Sequence, residues 1–147
     1  MSRRIAREYA IQFLFSIDFH RADDTDKQLE EFLLHKEEHL EEEESALNKS
    51  SKEYTIEVVK GTLQHLDEID KLIEFHTTGW KKERIAKVDL AILRLAIYEI
   101  VFNNEVPDSV AANEAIELAK KFSTDESGSF VNGVLGKIIR GKGEQGI

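Results

Sequence analysis

Residues 110–135 read VAANEAIELAKKFSTDESGSFVNGVL, and this stretch decides the fold. Ala111, Ala112, Ala115, Ile116, Ala119 and Phe122 recur at three- and four-residue spacing, so they share one face of a helix. Glu114, Glu117, Lys120 and Lys121 occupy the other face. Small residues on the apolar face predict close packing against a neighbour. At Ser123-Thr124-Asp125-Glu126 the chain matches a capping box, in which a hydroxyl covers an orphan amide of the next helix and the acid three residues on reaches back. A second helix is therefore expected here, with Phe130, Val131, Val134, Leu135 and Ile138 as its buried stripe. Gly128 and Gly133 weaken that helix, so they mark places where a backbone or a ligand approaches closely.

Outward from this corner the same period continues. Apolar positions fall at helical rather than alternating spacing, and there is only one proline in 147 residues, so the expected fold is all-α. A chain of this length buries roughly two-thirds of its unfolded surface, enough for a core of its own. One domain is expected over 1–140, with an acidic segment at about 35–51 and a flexible tail over 141–147. There is no cysteine, which excludes disulfides, thiolate nucleophiles and thiolate metal sites. No apolar run is long enough to span a bilayer, and the opening MSRRIAREYAIQFLF lacks the pattern of a signal peptide. A cytoplasmic protein is expected.

The net charge of −9 argues against a nucleic-acid partner until its distribution is considered. From Asp23 to Ser50 there are 11 acids against three lysines, so the remainder is near neutral and can carry a basic patch. Arg3, Arg4 and Arg7 begin a helix predicted from about Arg3 to Phe19. At this spacing their guanidiniums can project from one side as a fork for phosphates, or simply form a solvated face. A second helical stripe, Leu29, Phe32, Leu33 and Leu40, lies in Asp26–Glu44. His35 and His39 stand four apart near Glu38, Glu42 and Glu43, a spacing compatible with a metal. Lys36 occupies the place of the catalytic glutamate of the zinc-protease motif, and two solvated histidines are the simpler reading, so no metal is assigned. Residues Ala46–Ser51 read as a turn.

From about Lys52 to Phe75 a single helix is predicted, with Thr55, Val59, Thr62, Leu63, Leu66, Ile69 and Ile73 inward. Trp80 follows as a core anchor. Lys87–Phe102 is apolar nearly all round and therefore belongs at the centre. Arg94 and Glu99 on it are either members of internal ion pairs or surface groups, and Asp89 suits the helix dipole. No glycine loop of the type that cradles phosphates and no nucleophile constellation is present, so a binding protein is expected, not an enzyme, and no cofactor.

Asn113-Glu114-Ala115-Ile116-Glu117-Leu118-Ala119-Lys120, then Ser127 and Phe130-Val131-Asn132-Gly133-Val134-Leu135, resemble the signature of the NusB family of bacterial transcription antitermination factors. Asp89–Ile100, Pro107 and Arg3-Arg4-Ile5-Ala6-Arg7-Glu8 with Ala10, Gln12 and Leu14 extend the resemblance from about Arg3 to Ile139. It implies about seven helices in two small packed helical bundles. It also implies a pairing with the ribosomal protein NusE to bind single-stranded boxA RNA of ribosomal RNA leaders. NusA, NusG and RNA polymerase complete the implied antitermination complex.

Residue by residue, the resemblance places Arg3, Arg4, Arg7, Glu126, Ser127 and Phe130 at the RNA and Phe15 and Asp89 at NusE. Many family members carry tyrosine where this chain has Phe15. Structural readings stand beside these: Glu126 completes a cap and Phe130 fills the core. The sequence leaves a homodimer open. It also leaves open a protein-only helical adaptor in which the arginines are incidental. NusB-like domains also precede ribosomal-RNA cytosine methyltransferases, but this chain has neither the cofactor motif nor the cysteine of that enzyme.

Overall fold

The computed structural model describes residues 2–17, 25–38, 49–77 and 85–145. Those residues form seven α-helices and no strand. They are α1 (Ser2–Ser16), α2 (Thr25–Glu38), α3 (Lys49–Gln64), α4 (Leu66–His76), α5 (Lys87–Ile97), α6 (Asp108–Phe122) and α7 (Asp125–Gln145). The chain divides into two compact units, Met1–Val59 and Lys60–Ile147, the division falling inside α3. The all-α expectation and its helix count hold. His39 and Trp80 lie outside the described residues.

In the first unit Ala6, Ala10, Phe13 and Leu14 are buried as the helical spacing requires, together with Leu29 and Leu33 of α2. Phe13 meets Phe32 edge-on at 5.4 Å. Thr55 Oγ1 is within reach of two carbonyls, Ser51 at 3.0 Å and Ala6 at 3.2 Å, so one hydroxyl links α3 to α1. Of the turn expected at Ala46–Ser51, residues 46–48 lie outside the described residues, and Lys49, Ser50 and Ser51 are helical; Ser51 is buried and its carbonyl serves Thr55.

The second unit is built on α5, whose residues from Ala91 to Ile97 are all buried. Arg94 on it forms a forked pair with Asp70 of α4, Nε to Oδ1 and Nη2 to Oδ2, both at 2.9 Å. Arg94 is thus an internal ion-pair member, not a surface group. Glu99 is also buried.

Three elements differ from the sequence pattern. Residues 52–75 do not make one helix: His65 separates α3 from α4, its ring stacked on Phe102 at 3.9 Å and 10°. After Ile97, Tyr98–Phe102 widens into a π-helical turn. There Tyr98 fills the space beside Gly61, where a Cβ would overlap its ring. Third, the glycine-rich end is helical through Gln145 rather than a tail. Lys142 secures it, donating to the Ile100 carbonyl at 2.8 Å and to Asp108 Oδ1 at 2.9 Å.

Candidate RNA interface

Residue Thr124, not Ser123, caps α7. Its Oγ1 accepts from the Ser127 amide at 3.0 Å, which satisfies a first-turn donor and fixes the entry of the helix. The capping chemistry expected at Ser123 and Glu126 is therefore displaced by one residue. Ser127 Oγ donates to Asp89 Oδ2 at 3.0 Å and accepts from Thr124 Oγ1 at 3.2 Å. Ser123 Oγ lies 2.8 Å away. Since the one Ser127 proton goes to Asp89, Ser123 is the donor of that contact. The serine hydroxyl, expected to offer a donor and an acceptor to RNA, is thus fully engaged within the protein and positions Asp89.

Asp89 itself is only 6% exposed. Its Oδ2 is served by Ser127, while Oδ1 is buried with no hydrogen-bond partner among the described residues. Burial pushes this carboxyl above its ordinary value, and the hydrogen bond from Ser127 offsets part of the shift. Asp89 nonetheless lines a concavity of about 320 Å³ with Ile85, Ala86, Thr124, Glu126, Ser127 and Phe130. The residues placed at the RNA by resemblance, Glu126, Ser127 and Phe130, therefore converge with Asp89, which resemblance placed at the protein partner. Glu126 is exposed and Phe130 half-buried, so an acid and an aromatic ring face solvent at one depression.

Phe130 also borders a second concavity of about 270 Å³, lined by His76, Thr77, Ser129, Gly133, Val134 and Lys137. No periodicity in the sequence links His76 with Lys137. Gly133 was the one signal, flagged as a place of close approach. Burial, then the nearby Lys137 ammonium, lowers His76 from its ordinary value, so its ring is neutral at pH 7.

The arginines belong to the first unit. Arg3 and Arg4 are exposed, whereas Arg7 is only 4% exposed, so the three do not form one solvent-facing fork. Arg3 and Arg7 both lie over the Tyr54 ring of α3, their guanidinium carbons 4.5 Å and 5.8 Å from its centroid. A position one turn after Arg3 faces α3, and the Arg7 stem is buried there over the aromatic ring. Phe15, on the same helix, leaves half its surface in solvent. Among the described residues no cluster of three or more histidines, cysteines or acids could hold a metal, and no helix is long and apolar enough to cross a membrane.

Known proteins resemble this chain over nearly its whole length. A transcription antitermination protein NusB from Symbiobacterium thermophilum is 48% identical over 99% of this chain and 95% of its own. The structure of T. maritima NusB superposes with a TM-score of 0.78 at 36% identity, covering 94% of this chain and 90% of that one. A crystal structure of the antitermination factors NusB and NusE in complex with double-stranded RNA contains a chain with TM-score 0.79 and 28% identity, with coverage of 95% and 97%. The model of the family described as "NusB family" matches residues 4–140. With a family model matched over most of its length and relatives at this identity, the chain belongs to the NusB family.

Proposed function

We propose that the chain is the RNA-binding member of an antitermination complex. With NusE it binds the single-stranded boxA element of ribosomal RNA leaders, and with NusA and NusG it lets RNA polymerase read through terminators. The observation that carries this reading is the likeness to a chain crystallised in a complex of NusB and NusE with double-stranded RNA. The surface chemistry agrees with a shared task. Arg3 and Arg4 are exposed residues, and Phe130 offers a half-buried ring at a depression of about 320 Å³. Two arginines on a chain of net charge −9 give weak, salt-sensitive binding, and a basic partner surface raises it.

Fluorescence anisotropy tests this with a boxA-like single strand, a scrambled strand and a duplex, with and without NusE, at two salt concentrations. Selective binding of the boxA strand that tightens with NusE is expected. Replacing Arg3 and Arg4 by glutamine should flatten the logarithmic salt dependence by roughly 0.7 per lost phosphate contact. Neutralising Glu126 with glutamine should tighten binding about threefold, because it removes like charge near phosphates. Equal binding of all three RNAs in the presence of NusE would falsify the reading and favour a protein-only adaptor.

A further inference from the structure

Gly133 lies in the interior of α7, exposed, and an added Cβ there would meet nothing within 4 Å. Its conformation is helical, so no unusual backbone angle demands glycine. The fold would gain from alanine at such a position, since glycine weakens a helix interior. Two other helix glycines of the second unit have packing reasons. A Cβ at Gly61 would overlap Tyr98, and one at buried Gly128 would press on the Lys120 stem at 3.0 Å. What Gly133 keeps open is the second concavity, between His76 and Thr77 of one segment and Lys137 one turn further along α7.

This concavity shares Phe130 with the depression that holds Glu126, Ser127 and Asp89. The two depressions differ in charge among their described lining residues: Asp89 and Glu126 line the first, whereas Lys137 and His76 line the second. A polyanion passing Phe130 is repelled at the first and attracted at the second. Among the described residues, the second alone brings a cation to receive a phosphate beside a bare backbone to admit a sugar or base edge.

We propose that the concavity bounded by His76, Gly133 and Lys137 is a nucleotide subsite, taking the RNA residue next to the one held at Phe130. Lys137 holds its phosphate, and Gly133 is small so that the nucleotide can lie against the helix. This rests on the RNA-binding reading above and adds the direction in which the strand leaves Phe130.

The test uses the full chain with NusE and the same labelled boxA strand. Three variants are compared: Gly133→Ala, Lys137→Gln and, as a control on the same helix, Gly136→Ala, whose new methyl meets only the mobile end of Arg140. Gly133→Ala should raise the melting temperature by about 3 °C. It should weaken RNA binding at least about fivefold, the low end for one stacked base, while NusE affinity is unchanged. Lys137→Gln should reduce the logarithmic salt slope by about 0.7, as one lost phosphate contact. Gly136→Ala should leave RNA affinity as in the wild type.

A more stable Gly133→Ala protein with unchanged RNA affinity overturns the subsite, as does Lys137→Gln with an unchanged salt slope. A loss that tracks weakened NusE binding also overturns it, assigning the concavity to the protein partner. Should Gly133→Ala lower the melting temperature instead, the salt slope of Lys137→Gln decides alone. Failure of the RNA-binding reading itself has a different signature: the unmodified chain would show no preference for the boxA strand.

Discussion

Two buried aspartates of the second unit show how differently a carboxylate can be held. Asp70 has both oxygens in a fork from Arg94, at 2.9 Å each, so its charge is neutralised and its lone pairs are used. Asp89 has one bond from Ser127, and its second oxygen is buried without a partner among the described residues. The first carboxylate is closed to anything outside the chain and ties α4 to α5. The second lines a surface depression and is incompletely satisfied, a state that folds tolerate mainly where a site requires it. Burial alone therefore does not distinguish the two acids; the completeness of their partners does.

Breaking the closed pair should have the largest effect. Arg94→Met leaves Asp70 buried without its cation, and a loss of about 3–5 kcal/mol is expected from urea unfolding. Adding Asp70→Leu in the same chain should recover most of that loss, because a buried pair replaced by apolar groups of similar volume is often nearly neutral. A single substitution that costs nothing would mean the pair contributes no more than a surface contact.

At the open aspartate the loss should be smaller. Ser127→Ala removes the bond to Asp89 and the acceptor used by Ser123 and Thr124, with an expected cost of about 1–3 kcal/mol. Thr124 still accepts the backbone amide of residue 127, so the helix start survives. The cost should be less than that of Arg94→Met, since Ser127→Ala takes one neutral donor from Asp89, whereas Arg94→Met takes both forked donors and the countercharge from Asp70. Equal costs would erase the distinction between the two aspartates.

The sequence made the frame of this comparison legible but not its details. The alanine-lined face of α6, the apolar stripe of α7 and the all-round apolar character of α5 follow from spacing, because burial on one helix face is a local pattern. Glu126, Ser127 and Phe130 lie within two turns and could be read as one site. Their convergence with Asp89 could not, since it depends on how α5 meets α7. Similarly, the break at His65 and the π-helical turn follow from ring stacking between distant segments, and the burial of Arg7 from Tyr54. The cap shifted from Ser123 to Thr124 because Ser127 draws the Ser123 hydroxyl into a side-chain bond, a competition that the capping pattern does not encode.

Asp89→Asn gives the smallest and most discriminating effect, because its sign changes the meaning of the open site. The folded chain holds the Asp89 carboxyl above its ordinary value of 3.8, chiefly through burial. Between the unfolded and folded values the native state binds more protons, so this group's contribution to stability is complete below the unfolded value and is lost as pH rises through the folded one. At pH 7 the buried charge is therefore a cost. An asparagine carries no charge and can still accept from Ser127, so Asp89→Asn should stabilise the chain at pH 7 by less than about 1 kcal/mol, as a change that keeps both shape and hydrogen bond. That gain should shrink as pH falls and vanish below the ordinary carboxylate range. Unfolding curves at pH 7 and at pH 4 decide the matter. A gain independent of pH would assign the effect to packing. A loss at pH 7 would mean that the second oxygen has a partner in solution, and that Asp89 is as fully held as Asp70.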